Sequence, residues 1–275
     1  MRIGMVLQER IPPSDIRVAK EARTLARAGH EVHLLLERGD GQPVEETIGD
    51  ISLARLVHMG SLRRKYHRYT FNFTFRDALW RRAIDRFVAE RGIEALHVHD
   101  LPLVREGVEA GRRAGIPVVA DLHENYPDGL QVWYTGRLKK KTIYDRRRWA
   151  RYEREVLRET DAVIAVVEES RDRLAALGLP RGKIVVVPNT ADMRMTHAAV
   201  DPAIVERYRG RFVVSYIGKF SAHRGLDVAI RGAAALRGRV PSLLLLLVGD
   251  RNRPCMERLE RLVAELGAGD LVEMP

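Results

Sequence analysis

Two short stretches gather ionisable side chains where apolar runs end. His97-Val98-His99-Asp100 closes the run that starts at Ala95, and Asp121-Leu122-His123-Glu124 closes the run from Val118. Period-two alternation along a strand puts His97 and His99 on one face. Two histidines and an aspartate are metal-ligand types. No third or fourth ligand stands at a sensible spacing, so no metal is expected. His99 and Asp100 are read instead as lining a cleft at a strand end, with plain hydrogen-bonded edge residues as the bland alternative. His123 titrates near neutral pH and can donate or accept a proton. Glu124 beside it could orient it or stabilise its charge; a purely structural His123 stays open.

A second kind of chemistry is offered by Gly218-Lys219-Phe220-Ser221-Ala222-His223-Arg224-Gly225. It follows an apolar run and precedes a helical pattern from Leu226. Cationic side chains together with helix N–H groups suit a diphosphate, against the alternative of solvated surface charge. The segment from Gln8 to Asp15 also leads from an apolar run into a helical pattern. It lacks G-x-G-x-x-G, so it does not support a dinucleotide cofactor. Its Asp15 is a helix-capping type.

These residues need a scaffold of strand ends and helix starts, and the rest of the chain supplies one. Strand-length apolar runs fall at Ile3–Leu7, Val32–Leu36, Ala95–Val98, Val118–Leu122, Ala162–Val167, Ile184–Val187, Phe212–Ile217 and Leu243–Val248. They are apolar on both faces, as strands of a parallel sheet covered by helices must be. Helical patterns separate them, for instance Ile16–Ala28, Phe75–Arg91, Leu101–Ala114, Arg146–Arg158 and Leu226–Ala235. In the first helix Ile16, Ala19, Ala22, Arg23, Leu25 and Ala26 form the inward stripe, and Gly29 closes it in left-handed geometry. Alternating strands and helices predict a doubly wound α/β sheet. Periodicity lapses after Pro188-Asn189-Thr190 and restarts at Phe212. The expected division is residues 1–189 as a complete Rossmann-like domain and 190–275 as the first part of a second.

Composition is that of a globular protein: 45% hydrophobic and 31% charged among 275 residues. The apolar run Leu243–Val248 is far too short to span a bilayer, and the N-terminus reads as a strand rather than a signal peptide. Cys255 is the sole cysteine, which excludes an intrachain disulfide and points to the cytoplasm. Net charge is +10. The basic stretch Arg137–Arg158, with Tyr144, Trp149 and Tyr152 interleaved, could meet an anionic membrane or nucleic acid. A solvated helix with a core-facing aromatic stripe is the stronger reading of it.

Taken in order, the motifs resemble those of the GT-B fold glycosyltransferases of the retaining family 4 type. Pro12 to Val18, Glu21-Ala22 and Gly29-His30-Glu31-Val32 are similar to that family's acceptor-side loop and first helix. Val98 to Leu103 and Asp121 to Glu124 resemble its next two motifs. Asp161 to Val166 and Val187 to Asp192 resemble its last N-domain strand and domain crossing. Tyr216-Ile217-Gly218-Lys219, Arg224-Gly225 and Leu247-Val248-Gly249-Asp250 resemble the start of its donor domain.

The resemblance implies transfer of a sugar from a nucleoside-diphosphate sugar to a glycan, lipid or small-molecule acceptor. The anomeric configuration would be retained, without metal or other cofactor. His123 and Asp100 would be catalytic. Gly218, Lys219 and Arg224 would hold the diphosphate, with Lys and Arg exchanged relative to the family's usual order. Arg17, Asp15 and Glu124 would lie on the acceptor side. The family's paired glutamates, E-x7-E, would lie beyond Pro275, so the chain reads as a partial one. The implied setting is the cytoplasm, with peripheral contact at the inner face of an anionic membrane and no nucleic-acid partner. Two alternatives remain: a GT-B sugar-nucleotide 2-epimerase, and a non-catalytic basic protein binding membrane or nucleic acid.

Overall fold

Largely parallel strands, buried on both faces at the centre of the larger sheet but exposed at Phe212–Ile217, build the computed structural model, which describes residues 1–8, 16–39, 41–56, 61–134, 136–190, 199–249 and 253–275. The chain divides into two compact units, Met1–Thr190 and Ala191–Pro275.

The first unit runs β1 (Arg2–Leu7), α1 (Ile16–Arg27), β2 (Glu31–Leu36), β3 (Glu45–Ile48), β4 (Ile51–Arg55), α2 (Ser61–Thr74), α3 (Ala78–Arg91) and β5 (Ala95–His99). It continues through α4 (Val104–Ala114), β6 (Val118–Leu122), α5 (Tyr126–Trp133), α6 (Arg137–Lys141), α7 (Arg146–Arg158), β7 (Ala162–Ala165), α8 (Glu168–Ala176) and β8 (Ile184–Val186). The eight-stranded sheet has the order β3-β4-β2-β1-β5-β6-β7-β8. All neighbours are parallel except the β3–β4 hairpin. This is the doubly wound α/β fold expected from the alternation of apolar runs. The order reverses beside β1, and in such sheets ligands bind at the carboxyl edge near the reversal.

Local chemistry sets the helices. Asp77 caps α3 by accepting from the N–H groups of Leu79 (2.9 Å) and Trp80 (3.1 Å), and Gly92 ends it at φ +58°. Asp145 caps α7 at Arg148 N, 2.8 Å away. Helix α4 lies tight against the sheet. A Cβ at Gly107 would stand 2.5 Å from Val98 Cγ2, and one at Gly111 would stand 2.3 Å from Val118 Cγ2. Only glycine admits that approach, which fixes β5 and β6 against one helix.

The aromatics of the basic stretch face inward. Trp149, Tyr152 and Tyr144 are buried, and Trp149 and Tyr152 pack edge-on and stacked with Phe71 and Phe75 of the α2 end. They build core and offer no membrane face. Among the described residues of the first unit, the large exposed aromatics are Tyr66, Tyr69 and Phe73 on α2, and Trp133 at the end of α5.

The second unit runs α9 (Pro202–Arg207), β9 (Phe212–Ile217), α10 (Leu226–Ala235), β10 (Leu243–Val248), α11 (Arg253–Glu265) and β11 (Val272–Glu273). Its parallel three-stranded sheet has the order β11-β10-β9. A small core of Phe220, Leu226, Ile230, Leu245, Leu247 and Leu259 holds it together.

Candidate functional site

At the carboxyl edge of the first sheet, β5 and β6 run in register with His99 opposite Asp121. Helix α1 crosses above and brings Arg17 and Glu21, one turn apart, onto the same spot. Arg17 is buried, whereas Arg23, expected in the inward stripe, is exposed. The guanidinium binds Asp121 through Nη2–Oδ1 (3.0 Å) and Nε–Oδ2 (3.3 Å). It also donates to Val187 O (2.8 Å) and Asn189 Oδ1 (3.0 Å), and its Nη2 lies 3.0 Å from Glu21 Oε1. This bidentate fork is a use of arginine that lysine cannot copy.

Three imidazoles surround the same carboxylate. His97 Nε2, His99 Nδ1 and His123 Nε2 lie 3.4, 3.6 and 3.7 Å from Asp121 Oδ2. His99 Nδ1 is 3.2 Å from His123 Nε2, and His123 Nδ1 is 3.7 Å from Asp100 Oδ1. Burial raises the Asp121 carboxyl, but the imidazoles of His123 and His97 outweigh it and hold the group well below the usual carboxylate range. Burial, then the charge of Asp121, pushes Glu21 up to about 8, against the pull of Arg17. Burial drives His99 well below its ordinary value, helped by the neighbouring His97, so this ring is neutral at physiological pH.

Asp100 is held at φ +63°, ψ 152°. That region is nearly reserved for glycine and costs a side-chain-bearing residue on the order of 1–3 kcal/mol. Its N–H donates to Asp121 O at 2.9 Å, which ties the turn to β6.

The expected site residues of the first unit thus gather in part. Arg17, Asp100 and His123 meet around Asp121. Glu124 is exposed on the loop beside them. Asp15 lies outside the described residues. His99, expected to line a cleft, is fully buried; His97 reaches the cleft wall instead. Asp100 does not group with His97 and His99 as a ligand set. Glu21, His97, His99 and Asp121 do, each with one ligand atom within 4.8 Å of the others. Sequence reasoning missed Glu21 and the central place of Asp121. The Arg17/Glu21 spacing of four on one helix face was the available signal.

In the second unit Gly218, Lys219 and Arg224 share one loop after β9. Gly218 at φ +156° packs directly beneath Gly249, where a Cβ would meet Gly218 O at 1.8 Å. Lys219 and Arg224 are exposed, and Tyr216 donates its hydroxyl to Lys219 O at 2.8 Å. Gly225, at φ +69°, opens α10.

The model of the family described as Glycosyltransferase Family 4 matches residues 16–194, the stretch that builds this cluster. The chain belongs to glycosyltransferase family 4. Among curated proteins, this family 4 chain is 31% identical over 129 residues to a D-inositol 3-phosphate glycosyltransferase of Nocardia farcinica, covering 44% of the chain and 29% of that protein. Among solved structures, a sucrose-phosphate synthase from Thermosynechococcus elongatus aligns with a TM-score of 0.77 at 18% identity, over 100% of this chain and 70% of that one. HepE of Anabaena, in complex with UDP and glucose, aligns with a TM-score of 0.68 at 16% identity, over 100% and 68%. The fold is GT-B-like. The chain spans under half the length of the curated relatives it matches.

Proposed function

We propose that this chain takes part in transfer of a sugar from a nucleoside-diphosphate sugar to a hydroxyl acceptor, with retention at the anomeric carbon. The observation that carries this is the Arg17–Asp121–histidine cluster, assembled at the carboxyl edge by the segment that the family model covers.

In this reading Lys219 and Arg224, with the start of α10 and the open backbone at Gly218, neutralise the donor diphosphate. The leaving charge is met by cations and a helix end, without a metal at the diphosphate. His123 and Asp100 sit against the transferred sugar. Imidazole and carboxylate there can accept hydrogen bonds from sugar hydroxyls and steady the charge that develops at the anomeric carbon. The strain at Asp100 supports a functional rather than a structural place for it. Arg17 and Glu124 bound the acceptor side. A polyol, free or lipid-linked, is the favoured acceptor, because the similar Nocardia farcinica protein is named for an inositol phosphate acceptor.

Contact with the inner face of an anionic membrane belongs to the same proposal. Tyr66, Tyr69 and Phe73 stand exposed at i, i+3 and i+7 on α2, a spacing that aligns them on one helix face. The net charge of +10 favours anionic lipid.

Calorimetric titration of the purified chain with UDP and GDP tests the donor reading. One of the two is expected to bind, and Lys219→Ala or Arg224→Ala to weaken it about 10- to 100-fold, as loss of a charge-assisted hydrogen bond implies. Equal affinity in the variants and the parent would remove these side chains from the donor site. Epimerised nucleotide sugar formed without any acceptor would replace transfer by 2-epimerisation.

A further inference from the structure

We infer that Glu21, His97, His99 and Asp121 form a binding site for a divalent transition-metal ion, with Zn2+ the best match to the donor set. Two imidazole nitrogens and two carboxylate oxygens are what such an ion takes in four-coordinate sites.

The spacing is the first support. Ligands about 2.0–2.2 Å from a tetrahedral Zn2+ stand roughly 3.3–3.6 Å from each other. Here His97 Nε2 and His99 Nδ1 lie 3.4 and 3.6 Å from Asp121 Oδ2. Both lie 3.9 Å from Glu21 Oε2. All four ligand atoms lie within 4.8 Å of one another, so binding would draw the set together, with the Glu21 side chain moving inward.

The second support is unmet bonding capacity aimed at the centre. His97 is 7% exposed, and its Nε2 makes no hydrogen bond despite its short approach to Asp121. Glu21 Oε2 accepts none either, while its Oε1 is paired with Arg17 Nη2 at 3.0 Å. Leaving a buried polar atom without a partner costs about 1–3 kcal/mol, and His97 Nε2 and Glu21 Oε2 are two such atoms, 3.9 Å apart, that a cation would satisfy together.

The surroundings fit an ion as well. Arg17 bridges Asp121 and Glu21 through Nη2 and is itself anchored on Val187 O and Asn189 Oδ1. An outer hydrogen-bond donor of this kind orients a ligating carboxylate and leaves its remaining lone pairs free. A dication bound by ionised Asp121 and Glu21 beside the positive Arg17 would leave a net charge of +1 on the cluster. Arg17, Glu21 and His97 also line a cleft of about 530 Å³, which gives the ion a path in. Four protein ligands without an open position make a structural site. The ion would clamp α1 onto β5 and β6, and His99 Nδ1 would exchange its 3.2 Å contact with His123 Nε2 for the ion.

The sequence alone hides this site. His97 and His99 are the one histidine pair two positions apart; Glu21 arrives from a helix 76 positions before His97 and Asp121 from the next strand.

The test uses the whole chain, stripped with chelator, and Zn2+ alone as probe. Calorimetry and metal analysis after dialysis are expected to give one equivalent per chain, with a rise in Tm. Co2+ in its place is expected to give the intense visible absorption of tetrahedral coordination. Glu21→Gln and His97→Gln keep size and polarity. Each is expected to weaken binding at least tenfold and to abolish the Tm shift. Retained far-UV circular dichroism will show that a variant still folds; if His97→Gln does not fold, Glu21→Gln alone decides. No bound Zn2+ at a tenfold excess overturns the inference. So does binding that neither variant reduces. Because the readout is metal content and Tm, failure here leaves the donor titration untouched.

Discussion

The two loops that the sequence marks for chemistry differ in how much they hold before any substrate arrives. The edge of the first unit is preassembled: Arg17, Glu21, His97, His99 and Asp121 are largely buried and lie against one another. The loop after β9 in the second unit is open, with Lys219 and Arg224 exposed. The first resembles a preorganised centre, whose cost is met during folding. The second resembles a docking loop, whose cations stay solvated until an anion displaces water. Mutations should therefore separate stability from binding in opposite ways at the two places.

The largest effect is expected from Arg17→Ala. It strips the buried Asp121 of its bidentate partner, and breaking a buried pair typically costs about 3–5 kcal/mol. Chemical denaturation followed by tryptophan fluorescence reports this directly, because all three tryptophans lie in the first unit. A loss under about 1 kcal/mol would mean that the cluster is not what holds this edge.

Glu106 on α4 gives the next effect, and it carries a pH signature. Burial pushes this carboxyl up to about 7, although its Oε1 accepts from Asp77 N at 2.7 Å. The folded chain therefore keeps a proton that the unfolded chain releases near pH 4.5. Stability linked to this group is full below that pH and is lost as pH rises through about 7. Two and a half pH units correspond to about 3 kcal/mol. Glu106→Gln should equal the parent near pH 4 and exceed it by up to about that amount at pH 8. Parallel stability curves for the two proteins across that range would contradict the assignment.

Asp100→Gly is smaller and of opposite sign. It relieves the positive φ and should raise stability by about 1 kcal/mol, while transfer activity falls. A stabilised variant with undiminished turnover would show that the strain serves no chemistry. Smallest of all, Lys219→Ala and Arg224→Ala should shift stability by no more than about 0.5 kcal/mol, even as they weaken nucleotide binding. A larger shift would erase the contrast between the two loops.

Much of this architecture is legible in the sequence because its strands are apolar on both faces, as at Val32–Leu36 and Leu243–Val248. The β3–β4 hairpin is not, since Glu45-Glu46-Thr47-Ile48 is exposed throughout and has no apolar face to read. Helix α2 is hidden for a similar reason: Ser61-Leu62-Arg63-Arg64-Lys65 reads as a charged loop. At the site, His97, His99, Asp100, Asp121 and His123 are visible because polar groups interrupt apolar strands at their ends. Arg17 and Glu21 escape as inward groups because charged residues on a helix normally face water. Their burial becomes intelligible only once Asp121 is in place across the sheet.

The central claim is that this edge supports retaining sugar transfer, and the anomeric configuration of the product tests it most directly. Incubation of the chain with α-linked UDP- or GDP-sugars and a polyol acceptor, followed by proton NMR of the product, should show an α-linked glycoside that disappears in His123→Ala. A β-linked product, or no glycoside with any donor that the chain demonstrably binds, would contradict it.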